Sequence, residues 1–344
     1  DEDYDVRHGS ACAIVTAFGQ VPDRNQAWQD LHRLTQDENS DVRREAAVAL
    51  GTVFGQVPDR NQAWQDLVRL TQDENWDVLM KATLALGTAF GQLPDKAQAW
   101  QDLHRLTLDK YRGMRWNAAR ALGTAFGQLP DKTHAWQDLV RLTQDEDSVV
   151  KMYAYHSLGR ASVFKATEAH DNDTLKKELE IAITYFEKSS QELLYGPARF
   201  CYPFYRTYYA ITFQDGKEDE IQKYLVEAKE AVSGSESKDD LLKAVQNLAR
   251  AIQESQRLKE KSFQKERSFQ EITGELNVYR WYCEKAADHM AAAEDNAPGA
   301  VKLMRKCNPL IEGKIQTTIK EIQEKARQIC QNTRGSGTEL EFPG

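Results

Sequence analysis

The chain has 344 residues, of which 41% are hydrophobic and 28% charged, with a net charge of −8. That is the composition of a foldable chain too long for one ordinary core, unless it grows by adding like units. The acidic balance runs through both halves, so no basic footprint for nucleic acid exists, and no apolar run approaches the ~20 residues of a membrane span.

The chain opens without Met at Asp1–Glu2–Asp3–Tyr4–Asp5–Val6, which aligns with Asp37–Glu38–Asn39–Ser40–Asp41–Val42. It therefore starts inside a repeat and reads as a piece of a longer protein. Trp28, Trp64, Trp100 and Trp136 then stand 36 residues apart, each within Ala-Trp-Gln-Asp-Leu. A fixed period of this size marks a stacked repeat array.

One period spans residues 23–58. Asp23, with Gln26 three residues on, predicts a capped helix carrying Trp28, Leu31 and Leu34 on one face. A turn at Asp37–Glu38–Asn39–Ser40 follows, with Ser40 or Asp41 expected to cap the next helix. That helix bears Val42, Ala46, Ala49, Leu50 and Val53, and Gly55 and Pro58 end it. Each period is a helical hairpin whose apolar stripe is buried only by its neighbours. Gly51, Gly87, Gly123 and Gly159 recur inside the second helices, where Gly costs about 1 kcal/mol relative to Ala. A repeated cost points to close approach between helices.

Asp41–Val42–Arg43, Ala46 and Ala49–Leu50–Gly51 resemble the HEAT family's second helix. The match recurs at Asp77–Val78 with Leu86–Gly87 and more loosely at Met114–Arg115 with Leu122–Gly123; Gly113 and Val149 replace the Asp. The tetratricopeptide alternative puts Gly where His32 stands, and its small-residue positions do not align. The resemblance implies an all-α solenoid of hairpins over residues 1–164, with second helices lining the concave side.

Gln29, Asp30, Arg33 and Thr35 are expected to face outward, and their identity in all four copies is ascribed to recent duplication. The second helices differ more. One column reads His8, Arg44, Met80, Trp116, Met152; the next Gly9, Glu45, Lys81, Asn117, Tyr153; and four residues on from the first, Cys12, Val48, Leu84, Arg120, His156. Positions i, i+1 and i+4 share a face. Arg44, Val48, Met80, Lys81, Leu84, Trp116, Asn117, Arg120, Met152, Tyr153 and His156 are therefore the expected partner-binding residues, with neutral drift as the bland alternative.

The period decays at Ser162–Val163–Phe164. Residues 165–331 are expected to form a helical bundle with coiled-coil-like seams, and residues 332–344 a disordered tail or cloning remnant. Leu179, Ile183 and Phe186 define one helix; Phe200, Tyr202, Phe204, Tyr205, Tyr208, Tyr209 and Phe213 mark a buried one. The charged run from Lys259 to Arg267 reads as a solvated helix or linker. Leu276, Tyr279, Cys283, Ala286 and Met290 mark a further helix, and Ile311, Ile315, Ile319, Ile322 and Ile329 the last. Residues 276–330 resemble the ends of archaeal HEAT-repeat proteins without assigned activity.

Five scattered cysteines, Cys12, Cys201, Cys283, Cys307 and Cys330, argue for reduced thiols in the cytoplasm and against a zinc site. Those at 201, 283 and 307 are expected to be buried and inert. His32 and His104 are read as surface or packed side chains, because Val68 and Val140 replace them in the alternate copies. No phosphate loop, HExxH or nucleophile elbow occurs, so no catalytic residue, cofactor or metal is expected. The first expectation for function is a non-catalytic scaffold binding a protein or peptide on the concave face, with a variant as the sensing arm of a larger signalling ATPase. The HEAT resemblance also admits an enzyme of the bilin-lyase or alkylated-base-glycosylase class. Self-association through the uncapped first repeat is a third expectation.

Overall fold

The computed structural model describes residues 4–93, 96–193, 196–232, 234–264 and 278–335. Fifteen α-helices and no strand occur among them. The chain divides into two compact units, one of residues 1–164 with 184–198 and the other of residues 165–183 with 199–344. Residues 184–198 thus pack with the array, although the loss of the 36-residue period places them in the bundle.

In the first unit the helices are α1 (Tyr4–Ala17), α2 (Arg24–Leu34), α3 (Ser40–Val53), α4 (Arg60–Leu70), α5 (Trp76–Ala89), α6 (Ala97–Leu106), α7 (Arg112–Ala125), α8 (Lys132–Leu142) and α9 (Ser148–Glu168). Asp23, Asp59 and Asp131 cap α2, α4 and α8 by accepting from the backbone N–H three residues on. The second helices are capped differently from expectation. Asn39 and Asn75, not the residues after them, accept from Asp41 and Asp77 N–H at 2.8 and 3.0 Å. Asp37 Oδ1 in turn holds Asn39 N–H at 2.9 Å, which fixes the turn before the cap. One 3₁₀ turn, as at Phe54–Gln56, closes each of α3, α5 and α7.

The second helices α1, α3, α5 and α7 pack side by side along their backbones, whereas first helices meet through side chains. The recurring glycines explain the difference. A Cβ on Gly51 would lie 2.7 Å from Ala85 Cβ, one on Gly87 2.9 Å from Ala121 Cα, and one on Gly123 2.6 Å from Ser157 Cβ. Each glycine sits where the next second helix arrives, as its cost predicts. A layer spaced more tightly than its partner bends the stack toward itself, so the second helices form the inner wall.

The first helices are joined by a polar seam, which corrects the outward placement of the Asp and Thr columns. Asp66, Asp102 and Asp138 are buried, as are Thr35, Thr71, Thr107 and Thr143; the Gln column (Gln29, Gln65, Gln101, Gln137) and the Arg column (Arg33, Arg69, Arg105, Arg141) are exposed, as expected. His32 Nδ1 meets Asp66 Oδ2 at 2.6 Å, and His104 meets Asp138 likewise. Where Val68 replaces the His, Trp64 Nε1 donates instead to Asp102 Oδ2 at 2.9 Å. Arg69 donates to Thr35 O and Oγ1 and to Asp66, and Arg141 repeats this with Thr107 and Asp138. A buried carboxylate needs such donors. The identity of these columns is thus structural.

A third ladder joins the turns. Arg43 makes a bidentate pair with Asp73 of the next hairpin (2.7 and 2.9 Å) while donating to its own turn at Asp37 O and Glu38 O. Arg115 does the same with Asp145, and Arg7 pairs with Asp37. Leu79 interrupts the series.

The second unit contains α11 (Ala198–Phe213), α12 (Glu218–Glu230), α13 (Glu236–Gln264), α14 (Val278–Ala293) and α15 (Pro298–Gly335), with the first part of α10 (Asn172–Glu192). α13 packs against α12, α14 and α15. His289 pairs with Asp240, so α14 runs antiparallel to α13, and Leu258 packs on Ile322. Phe200, Phe204, Tyr205, Tyr208 and Tyr209 are buried as their density on one helix predicts, with Tyr202 and Phe213 half-buried. Tyr208 donates its hydroxyl to Met304 O at 2.7 Å. Residues 332–335 continue α15 rather than joining a disordered tail; residues 336–344, Lys265 to Arg267 and Leu276 lie outside the described residues.

Candidate functional site

On the inner wall, positions four apart along each second helix present one face. α3 offers Ser40, Arg44 and Val48; α5 offers Trp76, Met80 and Leu84; α7 offers Arg112, Trp116 and Arg120. Arg44, Val48, Met80, Lys81, Leu84, Trp116, Arg120 and Tyr153 are all half-buried, as side chains on a shallow wall should be. Trp116 stacks on Tyr153, with ring centroids 4.8 Å apart and planes at 21°.

Three expected residues leave this surface. Met152 and His156 are buried because residues 184–198 cover the end of the wall. Ser189 Oγ donates to Met152 O at 2.8 Å, Gly196 packs on the Met152 sulfur, and Phe186 lies 5.5 Å from the His156 ring. Asn117 turns inward, its Nδ2 donating to Gly113 O at 2.9 Å while its buried Oδ1 has no hydrogen-bond partner. The wall is therefore open along α3, α5 and α7 and closed at α9. The side chains of Ala11 and Cys12 lie outside the described residues.

Trp76 belongs to the site and escaped the column argument. It is 47% exposed, and its ring occupies the place where a side chain on Gly113 would project. The absence of the family's Asp at Gly113 thus has a cause: Trp76 from the preceding hairpin takes its volume. Trp76 stands four residues before Met80, so the i, i+4 rule finds it once the column is extended backward. Leu108 and Tyr111, on the turn before α7, are also exposed, and Lys110 lies 4.8 Å over the Tyr111 ring.

Charge on the wall is uneven. Arg44 is spent on Asp41 and Glu45, at 2.7 and 3.1 Å. Arg112 reaches Asp147 at 2.9 Å. Lys81 and Arg120 form no ion pair among the described residues. Two uncompensated cations therefore flank Met80, Leu84 and Trp116 in a chain whose overall charge is negative.

The thiols differ from one another. Cys307 is buried and its thiol is pushed up to about 12 by that burial, which leaves it unreactive. Cys201 and Cys283 are half-buried rather than fully enclosed; burial raises the Cys283 thiol as well. His32 and His104 are packed rungs of the first-helix seam, bonded to Asp66 and Asp138. Among the described residues no helix is long and apolar enough to cross a membrane.

Residues 1–87 match the HEAT repeat family. No curated protein matches the chain. Among solved structures, the chain is similar to the CpcE–CpcF phycocyanin lyase complex of Nostoc at 15% identity and TM-score 0.37, over 67% of this chain and 90% of that one. It is similar to the Pds5–Scc1 complex at 13% identity and TM-score 0.42, over 94% of this chain and 53% of that one. An engineered protein gives 15% identity and TM-score 0.33, over 94% and 96%. By the family match residues 1–87 are HEAT repeats, and the 36-residue hairpins with second helices packed through glycine continue the same period to residue 164.

Proposed function

We propose that the array is a non-catalytic interaction scaffold whose wall of α3, α5 and α7 binds an acidic, apolar-anchored segment of a partner protein. The observation that carries this is the pairing of Trp116, stacked on Tyr153 and still half-open, with Lys81 and Arg120, which have no ion-pair partner among the described residues. Aromatic and Met side chains supply the apolar anchor of a binding face, and Arg beside them is a usual energetic centre. Cations flanking an apolar strip select a peptide with carboxylates beside its anchors and steer its approach. Trp76, Met80 and Leu84 extend the strip along α5.

A pull-down from native extract, comparing wild type with Trp116→Ala/Arg120→Ala and with Lys81→Glu, tests the reading. Both variants should keep the wild-type circular dichroism and Tm while losing the same acidic partner. Retention of that partner by both variants would remove the inner wall as the binding face.

A further inference from the structure

The junction between α6 and α8 departs from the equivalent junction of α2 and α4 at two positions that meet in space. In the earlier junction His32 holds Asp66 through Nδ1, and Gln36 Nε2 lies 3.2 Å from its Nε2. His104 makes the same 2.6 Å bond to Asp138, but the exposed Leu108 stands in the place of Gln36 and offers its Nε2 nothing. At the second position, where Gln26, Gln62 and Gln98 occupy the other hairpins, stands His134. Its ring centroid is 4.7 Å from that of His104, and ligand atoms of His104, His134 and Asp138 lie within 4.8 Å of one another.

The geometry points to a binding site for a late first-row divalent metal ion, held between α6 and α8 by the imidazoles of His104 and His134. Imidazole nitrogens favour zinc, nickel and copper over magnesium or calcium. Asp138 acts behind the ion. By accepting from His104 Nδ1–H it fixes the tautomer whose Nε2 lone pair faces outward, the carboxylate–imidazole pairing usual behind metal-bound histidines. Arg141, 2.9 Å from the other Asp138 oxygen, keeps that carboxylate in place. Two nitrogens on a tetrahedral ion lie about 3.4 Å apart for bonds of about 2.1 Å. His134 is exposed on the first turn of α8, so rotation of its side chain closes the gap. The α2–α4 junction has only one imidazole, because Gln62 stands in the place of His134.

An ion held across two hairpins binds the folded array and not the unfolded chain, so it raises Tm with concentration. Ni²⁺ is the probe of choice, since the five cysteines would compete for Zn²⁺. Calorimetric titration of tag-free protein should give one equivalent of Ni²⁺ per chain, with a rise in Tm. Trp100, whose ring lies 5.7 Å from His134 and 5.9 Å from His104, should lose fluorescence on binding. His134→Gln, which restores the residue of the other hairpins, should abolish uptake and quenching while leaving the metal-free Tm unchanged. Gln36→Leu combined with Gln62→His should add a second equivalent at His32. Absence of uptake by the wild type, or uptake undiminished in His134→Gln, would overturn the assignment.

Discussion

The two seams of the repeat array solve one problem in opposite ways. Along the first helices, neighbours stand apart and are bridged by long polar side chains: His32 to Asp66, Trp64 to Asp102, Arg69 to Thr35. Along the second helices, neighbours touch at the backbone because Gly51, Gly87 and Gly123 have no side chain to hold them off. Among the invariant residues of the first helices, the Asp, Arg and Thr columns supply the partners one repeat away, while the Gln column stays exposed. In the second helices the invariant glycines stand at the close contacts, and the invariant leucines beside them (Leu50, Leu86, Leu122, Leu158) are buried in the core. Variation along the second helices collects on the wall that neither seam uses.

The largest way to break the polar seam is Trp64→Ala. Trp64 is 2% exposed and its indole N–H is bonded to a buried carboxylate, so the expected loss is about 3–5 kcal/mol in urea unfolding. Trp28 is only half-buried, and Trp28→Ala should cost clearly less. Equal losses at the two sites would show that the Asp102 bond and the deeper burial contribute nothing. The tight seam is tested by Gly87→Ala. Helix propensity alone predicts a gain of about 1 kcal/mol. A Cβ 2.9 Å from Ala121 Cα predicts instead a loss of about 1–3 kcal/mol, because backbone cannot step aside. Gly313→Ala on α15, with nothing within 4 Å of the added carbon, is the control and should gain. A gain at both glycines would mean that the second helices can separate freely.

The hairpins were legible because a 36-residue period and a helical stripe are both properties of one strand of text. The polar seam was not, since its bonds join residues 34 or 38 apart whose chemistry changes from copy to copy. The alternation of His32, Val68, His104 and Val140 spoke only against a metal ligand and gave no partner, yet Trp64 takes over as donor where Val68 replaces the His. Identity misled in the same way, because Asp66 reads as a surface residue by type but is buried against His32 of the preceding hairpin, and the exposed Arg69 reaches back to Thr35 of that hairpin. The inner wall was found from its columns, but the burial of Met152 and His156 depends on residues 184–198, whose sequence carries no sign of the period they cover. Trp76 was missed because its partner is a glycine, which leaves no pattern of its own.

The turn ladder gives a smaller effect with a pH signature. Burial pushes the carboxyls of Asp73 and Asp145 up, but the hydrogen bonds from Arg43 and Arg115, those from the Asn75 and Asp147 backbone N–H, and the arginines' charge together outweigh it and hold both below the ordinary carboxylate range. A folded-state value below the unfolded one, about 3.9 for Asp, gives stability that is full above that value and vanishes as pH falls through the lower one. Arg43→Gln/Arg115→Gln should therefore lower the urea midpoint at pH 7, with the gap to wild type closing as the pH is taken below 4. A gap that stays constant on acidification would mean that the ion pairs are not its source.

The smallest expected change comes from repairing the ladder where Leu79 interrupts it. Leu79→Arg would place a guanidinium opposite Asp109, as Arg43 and Arg115 face Asp73 and Asp145. It would also remove a buried Leu from the apolar cluster of the array. A solvent-edge ion pair is worth about 0–1 kcal/mol, and an apolar replacement for such a pair is often neutral. The two terms nearly cancel, so the variant should stay within about 1 kcal/mol of wild type in urea unfolding. If the arginines serve mainly to fix how one hairpin registers on the next, the interruption costs little stability because the glycine contacts on either side of it already set the register. A gain above about 2 kcal/mol would reverse that order and make the turn ladder, not the close-packed helices, the main bond between repeats.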